Sequence, residues 1–375
     1  MDAGCRAWLE IDLKAVVGNL RAVAERVAPC GLLAVLKGDA YGLGARAVAS
    51  AAAESGVVAR LGLATLEEAI ELEDVPLPKQ IISAVLPAEI PEAVRRGFIL
   101  PVSDFETAGL ISVEAERQHT AAECELKIDT GMGRLGIPVE QSVGSFTAIG
   151  ELPGLNIIGM FSHLACAGIP GDAFTKGQIT GLARLSAALR EAGMAVPNLH
   201  CAATDAIINH RESYSPPFTM VRPGTSIYGS SFSYTPELGL RPAVTFKGRL
   251  IAIRDLPAGH SVGYSRLCRL QREGRIGIVS AGYCDGVKIP LTNRGYVLLG
   301  GRLCPIAGRV SMDYTTVMLD GVPEARVGDE AVFIGAQGDA RITVEECARI
   351  NGTTTQDILC SFAPRVKRIY LGGRS

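Results

Sequence analysis

The sequence predicts an α/β fold: an N-terminal (β/α)8 barrel of the TIM type followed by a mostly β C-terminal domain. Three observations carry that expectation. From about residue 7 to 230, short apolar strands alternate with amphipathic helical stretches, the rhythm of parallel βα units. Eight or so such units over this length fit a closed barrel at least as well as an open sheet. After about Pro236 the runs become short and alternating, broken by Gly, Pro and Asp turns, as in a small β domain.

In chain order, the strand candidates of the first part are residues 9–13, 32–36, 61–64, 80–83, 99–102, 124–128, 157–161, 199–201 and 219–221. Helical periodicity follows most of them, for instance over 104–117 and 174–192. In the second part, 244–253, 275–279, 296–299 and 331–334 read as strands. The junction falls within 230–236, giving a barrel domain over 1–235 and a β domain over 236–375. No internal repeat or low-complexity tract interrupts either part.

At 375 residues the chain exceeds the usual single core, so two domains are expected. Hydrophobic residues at 47% against 20% charged describe a packed globular protein and not a disordered one. A formal net charge of −2, without a basic run, argues against a general nucleic-acid binder. Apolar runs such as 31–36 are too short to cross a bilayer, and the Met1-Asp2 opening is unlike a signal peptide. The expected compartment is therefore the cytoplasm, with no membrane partner. Ten cysteines lie scattered without CxxC pairs or histidines at zinc-ligand spacing, so buried reduced thiols are expected, with neither a disulfide framework nor a metal.

The most informative stretch is Ala34-Val35-Leu36-Lys37-Gly38-Asp39-Ala40-Tyr41-Gly42-Leu43-Gly44. A buried apolar strand ends in a lysine, and in a parallel barrel active-site groups emerge at the carboxyl ends of strands. Partial desolvation there lowers a lysine's pKa and frees its amine for Schiff-base chemistry. An exposed strand-end lysine is the competing reading of the same residue. The small, Gly-rich and Tyr-bearing continuation favours a ligand, because it permits close approach and supplies a hydroxyl.

On these residues the chain resembles the alanine racemase family, and the resemblance runs nearly its full length. Residues 34–44 resemble the family's cofactor-lysine motif. Lys127-Ile128-Asp129-Thr130-Gly131-Met132-Gly133-Arg134-Leu135-Gly136, Met220-Val221-Arg222-Pro223-Gly224, Val262-Gly263-Tyr264-Ser265 and Gly308-Arg309-Val310-Ser311-Met312-Asp313 match later motifs in order and spacing. The resemblance implies a barrel carrying pyridoxal 5′-phosphate, a β domain whose sheet the first strand tends to join, and a homodimer with shared sites. It further implies interconversion of L- and D-alanine, supplying D-amino acids as peptidoglycan precursors.

Residue by residue, the resemblance makes Lys37 the Schiff-base lysine and the base on one face of the substrate α-carbon, and Tyr264 the base on the other. Racemisation removes a proton from one face and delivers one to the opposite face, so two flanking acid/base groups suit it. A tyrosine starts near pKa ~10 and needs nearby positive charge to act as a base. Arg222 corresponds to the partner of the cofactor's pyridine nitrogen, and Arg134 to the arginine near its phenolic oxygen and the substrate carboxylate. Phosphate binding falls to Tyr41, Thr204, Gly224 and Thr225. His163 lies by resemblance close to the cofactor ring, Met312 offers its backbone to the substrate carboxylate, and Lys127 matches a lysine that some members carry as a carbamate. On local sequence alone, Tyr264 and Met312 also fit core packing, His163 a buried structural histidine, and the arginines surface ion pairs.

Four positions depart from the family pattern. Leu43 stands where histidine is frequent, Ala203 where asparagine precedes the phosphate hydroxyl, and Ile289 where arginine is common. Gln356 replaces a tyrosine that touches the phosphate and narrows the pocket. Losing that ring removes bulk and adds an amide, so a roomier or more polar pocket that also accepts serine is expected. Two other activities fit a lysine-bound cofactor: a barrel-type amino-acid decarboxylase, whose glycine-rich phosphate segment and cysteine motif are not evident, and a noncatalytic pyridoxal-phosphate binder, which would lack the second domain and Tyr264.

Overall fold

The computed structural model describes residues 5–141, 143–231 and 238–373; the expected junction at 235/236 lies outside them. The chain opens with β1 (Ala7–Asp12), whose last residue caps α1 (Leu13–Val27) by accepting Ala15 N at 3.0 Å. The barrel then builds from β2 (Gly31–Val35), β3 (Val58–Leu63), β4 (Lys79–Ile81), β5 (Leu100–Val102), β6 (Ala122–Asp129), a short β7 (Ile137–Pro138), β8 (Leu155–Phe161), β9 (Asn198–His200) and β10 (Met220–Val221).

Parallel pairing runs β10-β2-β3-β4 in one sheet and β5-β6-β8-β9 in another, with β7 beside β6. Parallel bridges Gln80↔Ile99 and Ala203↔Arg222 join the two sheets at both edges. Eight parallel strands thus close into a barrel, which removes every free edge. The helices follow the strands: α2 (Lys37–Gly42), α3 (Ala45–Glu54), α4 (Leu66–Glu71), α5 (Ile90–Arg95), α6 (Phe105–Arg117), α7 (Val143–Gly150), α8 (Ala173–Glu191) and α9 (Thr204–Asn209). Asp104 and Asp172 start α6 and α8 as N-caps, accepting Thr107 N and Thr175 N at 2.7 Å each.

In the second part, β11 (Val244–Leu256) is the organising strand. It is followed by β12 (Ser261–Val262), β13 (Cys268–Arg269), β14 (Gly274–Val279), β15 (Tyr296–Leu299), β16 (Arg302–Pro305), β17 (Thr315–Met318), β18 (Glu330–Gln337), β19 (Ala340–Ile342) and β20 (Lys367–Leu371), with α10 (Val344–Asn351) and α11 (Thr355–Leu359) before the last strand. β1 pairs antiparallel with β11 and parallel with β20, so the first strand belongs to this sheet and not to the barrel. That excursion ties the chain's two ends together across Leu9 and Ile11, both fully buried. No helix among the described residues is long and apolar enough to cross a membrane, and the ten cysteines are free thiols.

Candidate active site

The carboxyl ends of the barrel strands surround a cavity of about 720 Å³. Lys37 begins α2 one residue beyond β2, Lys127 sits near the end of β6, His163 follows β8, Thr204 begins α9 after β9, and Arg222 follows β10. All of them line the cavity, together with Tyr41, Arg134, Gly224, Thr225 and Gln356. Gln356 arrives from the second domain on α11, the one expected specificity residue that does not come from the barrel.

The segment behind Lys37 winds left-handed: Gly38, Asp39, Ala40 and Tyr41 have φ of 65°, 52°, 53° and 61°. Three consecutive non-glycine residues there each cost roughly 1–2 kcal/mol relative to right-handed geometry. The surroundings hold it in place. Ala40 N donates to Leu36 O at 2.7 Å, Leu43 N and Gly44 N to Asp39 O at 3.0 Å, and Ala45 N to Asp39 Oδ1 at 2.6 Å. This turn folds the Tyr41 ring inward, edge-on to Tyr228 at 5.8 Å, and burial raises the pKa of its hydroxyl well above the ordinary phenol range.

Lys37, Lys127, Arg134 and Arg222 make the cavity strongly cationic, against Glu68 and Asp205 on the same wall. Burial, then Arg134 and Arg222, lower the pKa of the Lys37 amine. Burial and the same arginines bring Lys127 down to about 8, while its Nζ donates to Ile82 O and Ser83 O at 2.6 and 2.8 Å. His163 falls to about 3 through burial and the surrounding cations, so its ring is neutral at physiological pH.

Arg222 is almost fully buried and rigidly held. Its Nη2 donates to Ser162 O at 2.6 Å and Cys201 O at 3.1 Å, and its Nη1 to His200 Nδ1 at 2.7 Å. A guanidinium only donates, so His200 Nδ1 accepts and the ring proton sits on Nε2, which donates to Glu125 Oε2 at 2.7 Å. Glu125 also accepts from Arg60 at 2.8 Å and Gln80 at 2.6 Å. Burial alone would raise the Glu125 pKa, but His200, Arg60 and Gln80 outweigh it and keep the carboxyl below its ordinary range. Phe161 stacks on His200 at 5.3 Å. Burial brings Arg222 down to about 10, still protonated at neutral pH.

An anion cradle lies beside Tyr41. Thr204 Oγ1 accepts Gly224 N at 3.1 Å and Ser226 N at 3.2 Å and lies 3.1 Å from Ser226 Oγ. A Cβ at position 224 would collide with the Tyr41 hydroxyl, so only glycine lets that hydroxyl reach the cradle. A reactive amine, a guanidinium facing inward and a hydroxyl–amide cradle in one cationic cavity fit pyridoxal phosphate, with its aldehyde, ring nitrogen and phosphate.

Tyr264 and Met312 are placed elsewhere. Tyr264 opens a single 3-10 turn and Met312 sits on a second-domain loop, 68% and 51% exposed, and neither is on the cavity wall among the described residues. Their segments adjoin: a Cβ at Gly308 would overlap Val262 O, and one at Gly263 would press on Arg309 N. Of the altered positions, Ala203 lines the cavity, Leu43 is buried with its carbonyl accepting from Tyr370 Oη at 3.1 Å, and Ile289 is exposed. His200, Glu125 and Glu68 were not singled out from sequence. His200 had one signal, a titratable residue at the end of a barrel strand, and Glu68 another, the Thr65-x-x-Glu68 spacing of a capping box; the partners of Glu125 come from distant strands.

Models of two domains match the chain: "Alanine racemase, N-terminal domain" over residues 11–232 and "Alanine racemase, C-terminal domain" over 243–370. The alanine racemase of Desulfosudis oleivorans is 35% identical over 384 residues, covering 98% of this chain and 97% of that protein. That of Synechocystis sp. is 34% identical over 374 residues, covering 98% and 99%. The crystal structure of alanine racemase from D-cycloserine-producing Streptomyces lavendulae superposes with a TM-score of 0.91 at 34% identity, covering 99% of this chain and 98% of that one. The Bartonella henselae alanine racemase with covalently bound pyridoxal phosphate gives 0.88 at 26% identity, covering 98% and 100%.

Proposed function

This chain belongs to the alanine racemase family, whose members interconvert L- and D-alanine with pyridoxal phosphate, and from that premise we propose that Lys37 and Tyr264 of the partner subunit are its two opposed bases. The observation that carries this reading is a cavity holding every expected cofactor group from one chain while Tyr264 stands exposed outside it. The barrel domain is taken as residues 1–235, with its first strand lent to the sheet of the other domain, and the β domain as 236–375.

When bound, pyridoxal phosphate supplies the electron sink that lets the substrate α-carbon release its proton. Lys37 Nζ anchors that group and, with its lowered pKa, takes and returns the proton on one face. The partner subunit's Tyr264 serves the opposite face. Such acid/base groups contribute about 10²- to 10⁴-fold each. Arg222, committed to Ser162, Cys201 and His200, offers the ring nitrogen a hydrogen bond without surrendering a proton. Arg134 receives the substrate carboxylate, as does the backbone of the partner subunit's Met312. His163, a neutral imidazole on the cavity wall, would lie by the ring. Tyr41, Thr204, Gly224 and Thr225 hold the phosphate.

Lys127 is assigned as a carbamate: its amine, brought to about 8, adds to carbon dioxide and loses a proton, giving an anion to balance Arg134. A ¹³C-carbonyl signal from labelled bicarbonate, absent in Lys127→Arg, would report it. We place the enzyme in the cytoplasm as a homodimer, supplying D-alanine for cell-wall synthesis.

The test is L-alanine in deuterated water. Two opposed bases predict that newly formed D-alanine carries solvent deuterium at the α-carbon; substantial return of the substrate's own proton would contradict them. Gln356 extends the reading to serine, because an amide in the wall replaces a bulkier ring. Gln356→Tyr should lower kcat/KM for serine relative to alanine about 10-fold. Strict alanine preference, unchanged in the variant, would refute the serine assignment.

A further inference from the structure

The turn after Lys37 is gripped at both ends. At its far end, β20 supplies Arg368, donating from Nε and Nη2 to Gly42 O at 3.2 and 2.9 Å, and Tyr370, donating to Leu43 O at 3.1 Å. At its near end a single side chain spans two βα units. Glu68 accepts Gly38 N on Oε1 at 2.6 Å and Ala64 N on Oε2 at 2.7 Å.

That reach is unusual for its place in the helix. Glu68 is the third residue of α4, behind the N-cap Thr65, whose Oγ1 accepts Glu68 N at 3.3 Å. A glutamate there ordinarily returns to the cap's own amide. Here it bonds the amide before the cap and the one joining Lys37 to Gly38, so it fixes the peptide plane from which the Lys37 side chain leaves. Glu68 also lines the cavity. The other titratable groups that act on or with Lys37 are Arg134, Arg222, Lys127, His163 and Cys360, with Tyr41 and Asp205 elsewhere on the wall.

We propose that Glu68 is a positioning residue for Lys37, locking the Lys37–Gly38 peptide and setting a negative charge against an amine otherwise surrounded by cations. The proposal rests on the assignment of Lys37 as the cofactor anchor. A carboxylate beside an ammonium favours its charged form. Without Glu68, the lysine would lose its proton at lower pH and its direction would loosen.

The experiment measures acetylation of Lys37 against pH in the cofactor-free protein, read by peptide mass spectrometry, with amide exchange at Gly38 as a second readout. Glu68→Gln is expected to move the Lys37 midpoint down by about one unit and to speed Gly38 exchange. Tyr370→Phe, which removes one uncharged bond from the other end of the turn, is expected to lower the melting temperature without moving the midpoint. An unmoved midpoint in Glu68→Gln overturns the proposal, leaving Glu68 a purely structural tie. Should that variant not fold, Glu68→Asp decides: charge retained with reach lost predicts a wild-type midpoint with faster Gly38 exchange, and unchanged exchange overturns it. Borohydride reduction of the holoenzyme, with the labelled peptide located, tests the anchor separately. A label away from Lys37 refutes the anchor while the titration still reads Glu68.

Discussion

Gly224 lacks a side chain at the point where Tyr41 must bring one in. A Cβ there would overlap the Tyr41 hydroxyl, whose ring is pinned by Tyr228 and by the left-handed turn. Overpacking of this kind costs about 1–3 kcal/mol, and its relief by moving Tyr41 would remove a hydroxyl from the cradle. Gly224→Ala is therefore expected to weaken pyridoxal-phosphate binding by about 10- to 100-fold, measured by fluorescence titration. Adding Tyr41→Phe should restore the melting temperature but not the affinity. Wild-type affinity in Gly224→Ala would show that the cradle does not depend on this contact. Lys37 was readable as a lysine at the end of an apolar strand beside small residues, whereas Arg222 and Gly224 were expected only through the family resemblance. The left-handed path through Asp39, Ala40 and Tyr41 was not readable, since no glycine or asparagine marks those three positions.

Among the elements, the barrel interior joins five strand positions through charge. Arg60 on β3, Gln80 beyond the start of β4, Glu125 on β6, His200 on β9 and Arg222 after β10 form one connected chain of hydrogen bonds. Gly159 on β8 leaves room for it: a Cβ there would stand 2.7 Å from Glu125 Oε1. Breaking a buried pair at one partner typically costs about 3–5 kcal/mol. In Glu125→Gln, the new amide would face the His200 Nε2 proton, and a tautomer change would turn a second donor toward Arg222. The variant should lose about 3 kcal/mol of stability and release cofactor more readily on dialysis. A chemical-denaturation midpoint equal to wild type would contradict the relay. Because Glu125 has a lowered folded pKa, its stabilisation is fully present above the ordinary carboxylate range and is lost as pH falls through the lowered value.

The same elements show what patterning can and cannot reveal. Strands such as β2, β6 and β8 were evident, as were α6 and α8, though not the aspartates that cap them. β7, β12 and β13, each of two residues, carry no period and were not marked, and neither were β16, β17, β19 and β20; β10, just as short, was found because it continues the strand–helix alternation. α10 and α11 were missed inside a segment read as β, and α11 is the element that delivers Gln356 to the cavity. The relay was invisible for a different reason: its hydrogen-bonded pairs are 20 to 75 positions apart, and only barrel closure brings them together.

At the scale of the whole molecule, one chain does not complete the proposed site. Tyr264 and Met312 are exposed on the second domain, as are Leu267 and Tyr314 near them in sequence and Tyr283, whose amide donates to Ser311 O beside Met312. An apolar, tyrosine-rich face carrying half of the catalytic groups is what a closed twofold dimer would bury. In such a dimer each site takes Lys37 from one subunit and Tyr264 from the other. Two inactive parents then complement each other: Lys37→Ala retains a good tyrosine, and Tyr264→Phe retains a good lysine. After unfolding and refolding an equal mixture, half the dimers are mixed and each has one intact site. Racemisation should recover to about a quarter of wild type by this statistical pairing, where either parent refolded alone shows almost none. A mixture no more active than the average of its parents would contradict the shared two-base site.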